Sequence, residues 1–249
     1  MSGHNKWSTI KHKKGKTDAI RGRIFTKLIK EITVAAKLGG GDPGGNPRLR
    51  KAILDGRAAN MPLENIQRAI KKGTGELEGV NYEELTYEAY GPAGTAILVD
   101  VMTDNRNRAI TDVRIAINKN GAKMAEPGAV GYLFSTVGQI FVLKGKYAED
   151  EMMLVALDAG ANDVTDDGEH WLLTTDYGEL WTVREKLEGQ NIPIADSKIA
   201  KVASLQIELG GKDADQMLKL IDALEDVDDV QNVWSNFDLD EETAARLQE

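Results

Sequence analysis

An α+β, multidomain chain is predicted: an N-terminal basic three-helix domain followed by two α+β domains of sheet plus helices. Three observations predict it. Apolar residues recur at helical spacing through the first part of the chain and change to the alternation of strands after Gly73. Charge reverses at the same place, because residues 1–75 hold 17 Lys and Arg against 5 Asp and Glu, a net of +12, whereas the rest holds 14 against 35, a net of −21. Finally, 249 residues exceed the roughly 150 of one typical domain.

Residues 17–36 set Ile20, Ile24, Leu28 and Ile32 on one stripe, widened by Phe25 and Ala35, and predict an amphipathic helix. Arg23, Lys27 and Lys30 fall together on the opposite side. Like charges three and four apart weaken an isolated helix, so this face asks for an anionic partner, with a merely solvated face as the alternative. Gly39-Gly40-Gly41-Asp42-Pro43-Gly44-Gly45 breaks the helix. Asn46-Pro47 is an N-cap and first-turn pair for a second helix to about residue 59, with Leu49, Ala52 and Ile53 inward and Arg48, Arg50, Lys51 and Arg57 outside. Pro62 opens a third helix carrying Leu63, Ile66 and Ile70. It ends in Lys71-Lys72 before Gly73, basic residues that capping alone explains. The turn around Asn60 and Met61 allows a helix-turn-helix, a weak pattern because two short helices and a turn occur in any bundle.

Beyond Gly73, residues 82–90 and 95–102 alternate as strands and 109–120 read as a helix. Glu126-Pro127-Gly128 is a turn and linker. Residues 130–134 and 139–143 then read as paired strands, 150–159 as a helix, and 163–175 as a hairpin turning at Asp167-Gly168. A helix over 177–188, a strand over 199–209, a helix over 213–224 and a strand over 230–239 complete the chain. Met152, Met153 and Trp171 fit ordinary packing.

Composition excludes several functions. With 41% hydrophobic and 29% charged residues the chain folds. No run approaches the roughly 18 apolar residues of a membrane span, and the first residues are polar and basic, so a cytoplasmic protein without membrane contact is expected. Absent cysteine excludes disulfides and thiolate chemistry, and His4, His12 and His170 have no metal-ligand spacing. The G-x-G-x-x-G within residues 39–44 follows a helix, not the strand a dinucleotide site needs. Gly15-Lys16-Thr17 lacks the earlier glycine of a P-loop, since Ile10 stands there. The acidic runs 225–229 and 238–242 lack the calcium-loop pattern and read as solvated faces. No catalytic residue, metal or cofactor is expected, and no enzyme.

The chemistry that remains is phosphate binding. Lys6, Trp7, Lys11, His12, Lys13, Lys14 and Lys16 form an arm with no acid. Lysines release counterions from phosphates, and an aromatic ring stacks on an exposed base for about 1–3 kcal/mol. A frayed terminus with Trp7 docked on the first helix is the bland alternative. With Arg23, Lys27, Lys30, Arg48 and Arg50, the arm makes the candidate nucleic-acid-binding set. A second candidate is Asp104, Asn105, Arg106 and Arg108, where Asn105 is near an N-cap and two arginines oppose the helix dipole. Asp104 could satisfy one arginine internally, and an intramolecular or interdomain salt bridge and an external anion both fit this loop.

The chain resembles the YebC-like proteins, which include the mitochondrial translational activator of cytochrome oxidase. The resemblance is carried by Gly3-His4-Asn5-Lys6-Trp7, Ile10-Lys11-His12, residues 22–32, Gly40-Gly41-Asp42-Pro43 and Asn46-Pro47-Arg48-Leu49-Arg50. Ala59-Asn60-Met61-Pro62, Asn65-Ile66, residues 68–73, Tyr90-Gly91-Pro92, residues 103–108 and Glu126-Pro127-Gly128 extend it over roughly the first 135 residues. It implies three domains: 1–75, a discontinuous middle domain of 76–129 plus 205–249, and an inserted domain of 130–204. The short stretch before Gly3-His4 favours a bacterial-type member over an imported mitochondrial one.

Family members are described as DNA-binding transcriptional regulators, the mitochondrial branch acts in translation, and bacterial relatives are linked to ribosomes. The expectation is therefore a nucleic-acid-binding regulator of gene expression, with DNA binding and transcription regulation as the leading version. The alternative is a ribosome-associated translation factor on ribosomal or transfer RNA. The acidic body would contact transcription or ribosomal proteins. A protein-interaction scaffold without nucleic acid, and a metal-dependent hydrolase built on Asp104, are the rivals from other classes.

Overall fold

The computed structural model describes residues 18–145 and 147–247. The arm residues Lys6, Trp7, Lys11, His12, Lys13, Lys14 and Lys16 lie outside them. The described residues form two compact units, 132–205 and 18–131 together with 206–247.

The larger unit begins with α1 (Asp18–Gly39), α2 (Pro47–Ala58) and α3 (Leu63–Thr74). Their core holds Ile32, Ala35, Leu49, Ala52, Ile53, Met61, Ile66 and Ala69, with Phe25, Leu28 and Ile70 against it. Each large aliphatic side chain removed from water here contributes about 1.5–3 kcal/mol. Asn46 fastens two helices at once. Its side-chain oxygen accepts from the Leu49 amide at 3.0 Å, and its amide nitrogen donates to the carbonyls of Ala35 at 2.8 Å and Gly40 at 2.9 Å. Leu63, expected inside, is 55% exposed at the first turn of α3.

Gly73 does not stop α3, contrary to the sequence expectation; the helix continues to Thr74 and ends at Gly75 in the left-handed conformation. Gly73 is needed for packing. A Cβ there would run into the Thr33 carbonyl oxygen and lie 2.7 Å from Ala36 Cβ, so its absence lets α3 approach α1.

The same unit holds an antiparallel sheet of order β3-β1-β2-β9, built from β1 (Glu83–Tyr90), β2 (Ala96–Thr103), β3 (Lys123–Met124) and β9 (Val230–Ser235). Central β2 is buried on both faces, which explains its continuous apolar run. α4 (Arg106–Lys119) and α7 (Gly211–Glu225) supply Val113, Ile117, Met217, Leu220 and Leu224 to the core over this sheet. β8 (Ile207–Leu209) and β10 (Phe237–Leu239) pair in parallel, and the short α8 (Glu241–Arg246) follows, capped by Asp240. The strands expected over 199–209 and 230–239 are each split in two, and α8 was not foreseen.

In the smaller unit, β4 (Phe134–Leu143), β5 (Asp163–Asp166), β6 (His170–Asp176) and β7 (Ile194–Ala203) form an antiparallel sheet of order β5-β6-β4-β7. α5 (Glu149–Ala159) and α6 (Leu180–Gly189) pack on it through Met152, Ala156, Leu180, Val183 and Leu187. The hairpin at Asp167-Gly168 forms as expected. The two paired strands expected over 130–143 are instead the single strand β4. Gly138 sits inside it because a Cβ would lie 2.9 Å from Leu180 Cβ of α6.

Candidate nucleic-acid interface

The basic face of α1 is turned toward acids of its own chain. Arg23 pairs with Asp226, and Lys27 Nζ donates to the Glu225 carbonyl at 3.1 Å. Lys30, only 6% exposed, donates to the Met102 carbonyl at 3.2 Å, the Asp228 carbonyl at 2.9 Å and the Asp229 carboxylate at 2.7 Å. The anionic partner that the helix asked for is thus the segment between α7 and β9. Lys30 is too buried to meet an external phosphate, which corrects its place among the expected contacts. Asp229, 3% exposed, also corrects the reading of 225–229 as a solvated face.

Asp229 collects the second candidate loop as well. Arg108 donates to it through Nη2 at 2.9 Å and Nε at 3.1 Å, and the Thr103 hydroxyl donates at 2.9 Å. Burial pushes the Asp229 carboxyl up, but the donors Lys30, Arg108 and Thr103 outweigh it and hold its pKa below the ordinary 3.8. Arg108 Nη2 also reaches Asp104 at 2.6 Å. Asp104 first and then Asp229 raise the Arg108 guanidinium above its usual range. Asn105 caps α4, its side chain accepting from the Arg108 amide at 3.1 Å. Arg106 meets Glu83 at 3.0 Å in an exposed pair, worth little on its own. Both arginines that oppose the dipole of α4 therefore have carboxylates within the chain.

Arg48 is likewise engaged. Its Nε and Nη2 donate to the two oxygens of Glu31 at 2.6 and 3.0 Å, and Nη2 and Nη1 to those of Glu84 at 2.7 and 3.3 Å. Glu31 chiefly, and Glu84 after it, raise the Arg48 pKa against the lowering effect of burial. This fork ties α1 and α2 to β1 and leaves no donor pair for a phosphate. Arg50 is half-buried on α2 and also has an interaction partner.

Sequence reasoning found the cations but missed their acids, Glu31, Glu83, Glu84 and Asp229. It also passed over Glu88, whose carboxylate accepts from the amides of Gly128 at 2.6 Å, Val130 at 2.6 Å and Gly131 at 2.8 Å. Residual burial raises the Glu88 pKa, but these amides prevail and lower it. No local pattern marks such a clamp, since its donors are backbone groups some 40 residues away. Among the described residues no three His, Asp or Glu side chains are placed to hold a metal ion, and no helix is long and apolar enough to cross a membrane.

A basic helical module fastened by ion pairs to an α+β sheet module, with a further α+β unit, defines a multidomain α+β protein. The family model described as the TACO1/YebC protein N-terminal domain matches residues 5–76, and that described as the TACO1/YebC second and third domain matches 82–237. The chain belongs to the TACO1/YebC family. A "probable transcriptional regulatory protein" of Geobacter sulfurreducens is 54% identical over 247 residues, covering 99% of this chain and 100% of that one. One of the same description from Chlorobaculum parvum is 51% identical over 250 residues, the whole of both chains. The crystal structure of a conserved hypothetical protein from Aquifex aeolicus superimposes with a TM-score of 0.84 at 45% identity, covering 94% of this chain and 97% of that one.

Proposed function

We propose that the protein is a non-enzymatic, nucleic-acid-binding regulator of gene expression whose N-terminal module grips the phosphate backbone. The observation that carries this is charge segregation: a net of +12 over residues 1–75 on a chain that is otherwise −21. Such an arrangement attracts a polyanion to one end and repels it from the other. The names of the relatives support transcription as the process, and DNA is the version of the polyanion that this reading takes. In this reading the grip comes from the arm, Lys11, Lys13, Lys14 and Lys16 with Trp7, because Lys30 and Arg48 serve the protein's own cohesion. The three domains are 1–75, 76–129 with 205–249, and 130–204.

A second reading rests on the arm's composition. A tryptophan among lysines is the combination used on single strands, and it suits ribosomal or transfer RNA and a role in translation. In-cell crosslinking, with recovery of the protein and sequencing of attached nucleic acid after separate RNase and DNase controls, decides between them. Enrichment of promoter DNA supports transcription. Enrichment of ribosomal or transfer RNA makes transcriptional effects indirect, and recovery of neither leaves the scaffold reading.

A further inference from the structure

Among the described cations of the helical module two groups stand out, with half-buried Arg50 and exposed Arg57 of α2 outside both. Arg23, Lys27, Lys30 and Lys37 of α1, and Arg48 and Lys51 of α2, each have an acceptor in the chain. Arg68, Lys71 and Lys72 of α3 are exposed, and among the described residues none has a carboxylate at ion-pair distance. At about 100° per residue these three share one arc of α3, opposite Ile66, Ala69 and Gly73, which face the core and α1. Arg68 stands three and four positions before the lysines, the spacing at which like charges repel across a helix surface. The helix dipole accounts for Lys71 and Lys72 in the last turn, but not for Arg68 a turn earlier. Glu64 is the acid on this arc, and Glu76, which accepts from the Thr74 hydroxyl at 3.0 Å, lies beyond the helix end. Three cations thus share one arc with a single carboxylate, and all three stay exposed although the Gly79 backbone runs beside the stem of Lys72.

We propose that this outward face of α3 is a second phosphate-contact surface, on which Arg68, Lys71 and Lys72 take the sugar-phosphate backbone of a nucleic acid separately from the arm. It rests on the nucleic-acid reading above and moves the helical contacts from α1 and α2, where they were expected, to α3. Arg68 and Lys72 stand about 6 Å apart along the helix axis at about 1.5 Å per residue. Lysines act here as flexible point charges, so the surface sets position on the nucleic acid and carries no base code.

The test compares the full chain with Arg68→Gln/Lys71→Gln/Lys72→Gln and, separately, with Lys11→Gln/Lys13→Gln/Lys14→Gln/Lys16→Gln. Binding to a generic DNA duplex and to a single-stranded RNA is followed by fluorescence anisotropy between about 50 and 200 mM salt. The α3 variant is expected to raise Kd about tenfold or more and to flatten the slope of log affinity against log salt by about 2 to 3, alike on unrelated sequences. Its melting temperature should match the parent's, because glutamine keeps helix propensity and the sites are exposed. An unchanged slope in the α3 variant, with loss in the arm variant, overturns this proposal and leaves the arm as the grip. Absence of binding by the parent chain overturns the nucleic-acid reading itself. Lost cellular function with intact nucleic-acid affinity also overturns the proposal, and assigns the face to an acidic protein.

Discussion

Lys30 and Asp229, 199 positions apart in sequence, meet as a buried ion pair with Nζ 2.7 Å from the carboxylate. The pair joins α1 to the start of β9, so the basic helix and the sheet module behave as one body at this point. Breaking a buried pair from one side leaves an uncompensated charge, at about 3–5 kcal/mol.

Lys30→Met should therefore cost about 3 kcal/mol, at the low end of that range because Asp229 keeps Arg108 and Thr103. Asp229→Ala should cost more, since it strips Lys30 and Arg108 of their common acceptor. Urea unfolding of both variants measures the order. Costs below about 1 kcal/mol for both would show that the pair is solvated in solution. Neither change should alter the salt dependence of nucleic-acid binding.

The acid limb of stability should carry the signature of Asp229. Its folded pKa is lower than its ordinary 3.8, so its stabilisation is complete above the unfolded value and is lost as pH falls from about 4 through the folded pKa. Glu88, lowered from 4.5, acts with the same sign. Melting temperatures between about pH 6 and pH 2.5 should fall less steeply below pH 4 for Asp229→Asn than for the parent. An identical limb would place the responsible carboxylates elsewhere.

Gly73→Ala distinguishes packing from propensity. An exposed helical glycine replaced by alanine gains about 1 kcal/mol, whereas a Cβ here must displace the Thr33 carbonyl and Ala36 of α1. A net loss of about 1–3 kcal/mol is expected from overpacking. A rise in melting temperature would mean that α1 and α3 separate freely.

Glu88→Ala should release the backbone it holds. The amides of Gly128, Val130 and Gly131 lose their shared carboxylate, so their hydrogen exchange should accelerate while that of central β2 stays slow. Equal protection in the variant would show that other contacts hold this stretch.

What could be read from the sequence follows from how far each signal reaches along the chain. The three helices, the caps at Asn46 and Asn105, and the Asp167-Gly168 hairpin depend on neighbours within a few residues, and the structure has them. β4 is one strand through Gly138, and the helix that this glycine accommodates is not visible in the local sequence. The basic face of α1 was visible, but its pattern is the same for water, a phosphate or an internal acid. Only the fold brings 225–229 to it. Arg48 and Arg68 illustrate the same limit, since both are outward on a helical wheel and only one has acids waiting on the neighbouring elements.

The distance along the chain between Lys30 and Asp229 also orders events during synthesis. At about 5–20 residues per second, the acidic segment is made about 10–40 seconds after α1, because 199 positions separate the pair. Throughout that interval the nascent helix carries Arg23, Lys27 and Lys30 without the partners that residues 225–229 supply. Sheet closure by β9 and neutralisation of α1 then arrive together, once residues 225–235 have been made. A chain truncated before residue 225 would keep its basic end and lack both the edge strand and the counter-charge.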